Sequence, residues 1–390
     1  MRFPVFALRA ADQFLKKLDD LECGRFELVT PDGKTRVFEG SRPGPAACLS
    51  LHDWRVVANL AVRGDIGFAE DYKAGLWETA CLPNLLSLAM ENDHVIDGYI
   101  FGSGGMQIMA RLSQLLRLNT LSGSKRNISA HYDLGNDFYS LWLDPSMTYS
   151  AAIFAKPDEN LQAAQMRKYD RIIDRLAPTS GRILEIGCGW GGFAARAAER
   201  SDSHVKGVTL SEKQRSYAAA RLGGKADIAL EDYRHQNGLF DHIVSIEMFE
   251  AVGERYWPTY FNKVSSLLRR GGKAVIQTIT IDDNRFEKYR QSGDFIRSYI
   301  FPGGMLPSPT RFRQEAEKAG FVMTDRFDFG KDYATTLERW LETFDARRAD
   351  IAALGYDDGF MRMWRFYLAA CIAGFRTGRT DVMQVELQHA

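Results

Sequence analysis

Glu247 and Glu250 stand three positions apart, just past the apolar run Phe240–Ile246. If that segment turns helical, both carboxylates face one pocket. A further acid, Glu185, follows Ile183 and Leu184 and precedes Gly187, Gly189, Gly191 and Gly192. Glycines so placed let the backbone approach a ligand closely. An acid beside them can hold a ligand ammonium, directly or through water. Gly187, Gly189 and Gly192 also satisfy G-x-G-x-x-G, a dinucleotide pattern that is weak alone. Two details favour S-adenosylmethionine over a dinucleotide or a ligand-free turn. One is the place of Glu185; the other is Trp190, which fits a turn that need not admit a pyrophosphate. Thr209, Ser211 and Gln214 follow the next strand, where nucleotide folds commonly place an acid for the ribose. Ser211 also reads as a helix N-cap, and the two roles are compatible. Tyr233 and Arg234 follow the third strand, within reach of an adenine.

The elements around these residues alternate. The predicted strands are Ile183–Ile186, His204–Val208, Asp227–Leu230, Phe240–Ile246 and Lys273–Thr278, with helices at Phe193–Arg200, Glu212–Ala220 and Tyr256–Leu268 between them. Such alternation implies an α/β fold: a mostly parallel, doubly wound, Rossmann-like sheet that binds ligands at its carboxyl edge. An amphipathic helix, Leu161–Leu176, precedes the glycine strand. Residues 1–117 read as a smaller α+β domain, a scaffold or lipid-facing part. It has a hairpin at Phe26–Thr30 and Thr35–Glu39, a strand at Ala46–Leu51, and helices at Asp53–Val62, Leu82–Glu91 and Met106–Leu116. Residues 118–127 read as a linker and 128–390 as the ligand-binding domain. Phe360–Phe375 is apolar nearly all round except for Arg362 and Arg365, which suits a buried helix.

The chain has 390 residues and zero formal net charge. No global field therefore recruits nucleic acid. Attraction to anionic lipid would have to come from patches such as Lys125 and Arg126 with Arg111 and Arg117. The five cysteines are scattered singly, which argues against a disulfide framework or a zinc site and suits a reducing cytoplasm. No metal is expected, and no apolar run approaches a membrane span.

Several motifs together carry a resemblance. They are His131–Asp137, Tyr149-Ser150, Ile186–Gly191, Thr209–Ser211, Met248–Glu250, Tyr299–Gly304, Asp332–Leu337 and Tyr367–Phe375. On these the chain resembles the cyclopropane-fatty-acyl-phospholipid synthase family. Gly67–Tyr72 resembles the N-terminal domain of its phospholipid-acting branch. The resemblance implies methyl transfer from S-adenosylmethionine to the cis double bond of a phospholipid acyl chain, closed to a cyclopropane. Methylation without ring closure, or N-methylation of a small amine, are the alternatives. It implies that, beside Glu185, the methyl donor is bound by Tyr149, Ser150, Gly187, Cys188, Gly189, Trp190, Gly191, Thr209, Leu210, Gln214, Tyr233 and Arg234. It implies a bicarbonate ion held by Glu250, Tyr333 and the backbone of Ile279, and it matches Cys371 to the family's active-site cysteine. Two further bicarbonate positions depart from the pattern: Ala151 replaces a cysteine and Gln277 a histidine. Gln277 can donate a hydrogen bond but cannot carry a proton as histidine does, so ring closure is the step these changes touch. The expected setting is cytoplasmic, peripheral on the inner face of the membrane, with a phospholipid partner and a homodimer as an open assembly.

Overall fold

The computed structural model describes residues 3–95, 134–178 and 180–390. The chain divides into two compact units. The first comprises residues 1–115, 291–300 and 348–378; the second comprises 116–290, 301–347 and 379–390. The expected linker 118–127 and the helix expected at Met106–Leu116 lie outside the described residues. So do His131 to Asp133 of the first motif.

In the first unit, β1 (Cys23–Val29) pairs antiparallel with β2 (Thr35–Glu39), as the hairpin signal predicts. It also pairs parallel with β3 (Arg42–Leu51), and β4 (Trp77–Glu78) closes the edge. The sheet order is β2-β1-β3-β4. The predicted 128–390 domain needs correction here, because the Asp358–Arg376 helix belongs to this unit. Its all-round apolar surface has a physical cause: it packs on the Arg55–Lys73 and Leu82–Glu91 helices. Phe366 meets Phe68, Tyr72 and Trp77, and the Phe68 and Trp77 rings stack at 4.1 Å. The two arginines that interrupt the helix are used. Arg362 lies 4.0 Å over the Tyr72 ring and pairs with Glu78 at 2.8 Å, while Arg365 donates to the Tyr72 hydroxyl at 2.8 Å.

The second unit carries a seven-stranded sheet of order β10-β11-β9-β8-β5-β6-β7. Its strands are β5 (Ser180–Ile186), β6 (Asp202–Thr209), β7 (Ala226–Leu230), β8 (Phe240–Ile246), β9 (Leu268–Ile281), β10 (Phe321–Asp328) and β11 (Thr380–His389). From β9 to β7 all neighbours are parallel; β11 runs antiparallel between β9 and β10. The predicted parallel strands are all present, while β10 and β11 were not anticipated. Alternate residues face opposite sides. Leu184, Ile186, Ile276, Met383 and Val385 pack with Trp257, Phe261 and Phe312. Ile183, Val244 and Val275 pack on the other side with Ile172 and Phe193. That second side, under the Leu161–Leu176 helix, also receives Glu185, Gln277 and Gln384, each one residue out of step with the first set.

Candidate active site

The strand order reverses between β5 and β8, and the site is built at their carboxyl ends. After β5, the backbone passes through Gly187, Gly189 and Gly191 at φ of 80°, 52° and 80°. Only glycine takes such values without strain. A Cβ on Gly187 would meet Met248 at 2.9 Å, so the turn is tight there. One on Gly189 would meet nothing within 4 Å: that corner opens onto free space. Glu185 beside it is buried, and its Oε2 has no hydrogen-bond partner. Burial pushes its carboxyl up to about 8. A buried acid with one unpartnered oxygen, on the strand that leads into an open glycine turn, fits a cationic ligand that approaches the backbone closely and whose charge draws the acid to its ionised form.

Other predicted donor-site residues surround this corner. Trp190 donates its indole N–H to Asn136 at 2.8 Å and lies 5.1 Å from the Tyr139 ring. The Tyr149 ring sits among Tyr139, Trp142 and Trp340 at 5.4, 5.6 and 5.4 Å. The Cys188 thiol is buried and held well above its usual range by desolvation. Thr209 donates to Gln214 Oε1 at 2.8 Å, and Ser211 caps the following helix by accepting from Gln214 N–H. Leu210 lies between them, at the end of β6. Tyr233 is buried against Tyr260. Arg234 is clamped on Asp232 at 2.6 Å.

Across the reversal, β8 ends at Glu247, whose φ of +48° is left-handed. For a residue with a Cβ this costs on the order of 1 kcal/mol. Three donors hold it there. Ala151 N–H and the Gln277 amide both reach Oε1, at 2.9 and 2.7 Å, and the Tyr333 hydroxyl donates to Oε2 at 2.6 Å. Hydrogen bonds to a charged group are worth roughly 1.5–3 kcal/mol each, so together they outweigh the backbone cost. Glu250 lies beside it. Its Oε1 accepts from Ile279 N–H and from the Thr278 hydroxyl at 3.0 Å, while Oε2 has no partner. Both residues are half-buried as wholes, while the Glu250 Oε2 is itself buried. Burial and the neighbouring Glu247 push the Glu250 carboxyl up to about 8. Burial raises Glu247 too, against the pull of Tyr333 and Lys168.

The chain resembles, over residues 120–385, the mycolic acid cyclopropane synthetase family. It is 40% identical over 373 residues to the tuberculostearic acid methyltransferase UfaA1 of Mycobacterium tuberculosis, covering 92% of this chain and 86% of the relative. It is 38% identical over 333 residues to the cyclopropane-fatty-acyl-phospholipid synthase of Escherichia coli K12, covering 83% and 82%. The chain belongs to this family. Among solved structures, the cyclopropane synthase MmaA2 of Mycobacterium tuberculosis matches 67% of this chain and 97% of its own, at TM-score 0.64 and 31% identity. The mycolic acid cyclopropane synthase CmaA1, complexed with SAH and CTAB, matches 68% and 98% at TM-score 0.63 and 32% identity. The enzyme is an S-adenosylmethionine-dependent methyltransferase with a Rossmann-like core and an added N-terminal region.

This synthetase-family site contains residues that sequence reasoning did not assign. Lys168 is fully buried, donates to Ser150 Oγ at 2.6 Å, and is brought down to about 7 by desolvation. Its signal was a lysine on the apolar stripe of the Leu161–Leu176 helix. Gln384 donates to Gln277 Oε1 at 2.9 Å and accepts from Arg171 at 2.9 Å. The amides of Gln384 and Gln277 thus run head to tail from the Arg171 guanidinium to the Glu247 carboxylate. Cys371 lies on the Asp358–Arg376 helix of the first unit, whereas the residues of this network belong to the second. Among the described residues, no group of His, Cys, Asp or Glu is arranged to hold a metal ion, and no helix is long and apolar enough to cross a membrane.

The bicarbonate expected from the resemblance does not fit these residues as they stand. Ala151 N–H, the Gln277 amide and the Tyr333 hydroxyl all donate to Glu247, and Ile279 N–H donates to Glu250. Each donor expected for the ion is engaged by a carboxylate of the chain itself. A second anion beside the Glu247 carboxylate would be repelled rather than held.

Proposed function

We propose that this enzyme methylates the cis double bond of an unsaturated phospholipid acyl chain and closes it to a cyclopropane. The observation that carries this reading is the pairing of two corners at one sheet edge, the orphaned Glu185 by the open glycine turn and the carboxylates beyond β8. S-adenosylmethionine, when bound, supplies a methyl group to a weak carbon nucleophile. Glu185, the backbone of Gly187–Gly191, Thr209, Leu210 and Tyr149 are the groups that would hold it. The remaining task is to keep water from a carbocation. Tyr149, Trp142, Trp340 and Phe344 form a continuous aromatic wall, with Trp142 to Trp340 at 5.7 Å and Tyr333 to Trp340 at 6.2 Å. Ring faces also stabilise positive charge.

Incubation with S-adenosylmethionine and monounsaturated phosphatidylglycerol, followed by gas chromatography–mass spectrometry of the fatty-acid methyl esters, tests the reading. The expected product resists mild hydrogenation, as a cyclopropane does and a methylene-branched alkene does not. The similarity to a relative named as a methyltransferase, rather than a synthase, supports the second reading, methylation without ring closure. A reducible product of the same mass would establish it. Methylation of small amines alone would refute both.

Access to the substrate implies contact with the inner membrane surface. Lys125 and Arg126 are suited to anionic head groups, each contributing about 1 kcal/mol near the surface. Cosedimentation with phosphatidylglycerol vesicles is expected to weaken with added salt and with Lys125→Glu. Binding indifferent to both would place the contact elsewhere.

A further inference from the structure

Methyl addition to an alkene leaves a carbocation, and a base must then remove one proton. Of the donors that a diffusible ion would need, Ala151 N–H, the Gln277 amide and the Tyr333 hydroxyl are engaged by Glu247, and Ile279 N–H by Glu250. The Glu247 carboxylate is held at three points by Ala151, Gln277 and Tyr333, and Gln277 is fixed in turn by Gln384 and Arg171. This anchoring is asymmetric. Oε1 receives two N–H groups that cannot accept a proton. Oε2 receives the Tyr333 hydroxyl, which can reverse from donor to acceptor. A proton arriving at the carboxylate therefore has one seat, Oε2, and a hydroxyl already placed to accommodate it.

We propose that Glu247 is the base of this reaction, taking the place of the bicarbonate ion, so that turnover needs no dissolved bicarbonate. The inference rests on the methyl-transfer reading above. In the step itself, a C–H bond adjacent to the cationic carbon system breaks. Its electron pair forms the ring C–C bond, or a C=C bond if the ring does not close. The positive charge is cancelled, and the proton goes to Glu247 Oε2, giving a neutral acid that later returns the proton to water. The adjoining Glu250 is held differently: its Oε1 accepts from Ile279 N–H and the Thr278 hydroxyl, and its Oε2 from nothing. Burial raises both carboxyls, and the three donors on Glu247 favour its ionised form, so of the pair Glu250 is the one that keeps a proton more readily. The left-handed backbone at Glu247 is the cost of placing a side chain at this position, and it persists because the side chain is held.

The same φ supplies a clean test, since glycine fits that backbone without strain and Glu247→Gly should fold. The full-length enzyme would be assayed with monounsaturated phosphatidylglycerol in buffer purged of carbon dioxide, with and without added bicarbonate. Release of S-adenosylhomocysteine and fatty-acid products would both be read. The wild type should turn over equally in both buffers. Glu247→Gly should form product about 100-fold more slowly without bicarbonate, the usual scale for losing a general base. Added bicarbonate should restore much of that rate and raise the melting temperature of Glu247→Gly, but not that of the wild type. Glu247→Gln should be slow in both buffers while still binding S-adenosylmethionine by calorimetry. A wild type that stalls without bicarbonate, or a Glu247→Gly enzyme at full speed without it, would overturn the proposal while leaving methyl transfer intact. A wild type that releases no S-adenosylhomocysteine with any unsaturated phospholipid would overturn the methyl-transfer reading and this one with it.

Discussion

Replacing Gly189 by valine should abolish S-adenosylmethionine binding while leaving the protein folded. At φ of 52° a β-branched residue is strained, which costs roughly 1–2 kcal/mol. No protein atom lies within 4 Å of the new Cβ, so there is no internal clash to add to that strain. The space it enters is the opening of the turn that follows Glu185. Gly223 is a matched control. It has φ of 53°, also has no atom within 4 Å of a built Cβ, and ends the Glu212–Leu222 helix. Gly223→Val should lower the melting temperature by a similar amount and bind the donor normally. Calorimetry on the two variants separates backbone strain from ligand exclusion. Equal affinity in both would remove the methyl donor from this turn.

The second large effect concerns pH. Glu250 has its carboxyl raised from 4.5 to about 8 in the folded protein. Below the unfolded value both states carry the proton, and its contribution to stability is fully present. Between that value and about 8, the unfolded chain releases the proton and the folded one keeps it. Stability is then lost as pH rises, by up to about 1.4 kcal/mol per unit. Glu250→Gln cannot ionise, while its side-chain oxygen can still accept from Ile279 and Thr278. Its melting temperature should match the wild type near the unfolded carboxyl value and exceed it by several degrees above the folded one. Glu185 follows the same direction and Lys168 the opposite one, but both are common to the two proteins and cancel in the difference. Parallel melting curves across the whole range would show that Glu250 is not held neutral.

The sheet and its glycine turn were legible because they rest on local signals: short apolar runs, glycines needing positive φ, and helices at regular spacing. The spacing of Glu247 and Glu250 gave the carboxylate pair for the same reason. What escaped was set by distant pairing. Strand β11 presents Met383, Val385 and Leu387 to one side and Gln384 and Glu386 to the other, which reads as a strand with a wet face. That polar face is buried instead, because Arg171 and Arg175 of the Leu161–Leu176 helix meet Gln384 and Glu386 at 2.9 Å each. No local pattern announces a pairing across two hundred residues. The Asp358–Arg376 helix was legible as buried, but not as part of the first unit, since an apolar surface does not say which surface it will meet. Gln277, where the family has histidine, takes its role from Gln384 and Glu247 at the two ends of its amide, partners that no local pattern supplies.

The left-handed conformation at Glu247 has an evolutionary consequence. That backbone favours glycine, and a glutamate persists there only through the bonds its side chain makes. In the genetic code, glutamate and glycine are separated by a single base in the middle of the codon. On the role proposed above for Glu247, a lineage with this scaffold would exchange a tethered base for a borrowed one in one mutational step, without rebuilding Ala151, Gln277 or Tyr333. Whether the cell's supply of dissolved carbon dioxide limits the enzyme would then hinge on one nucleotide.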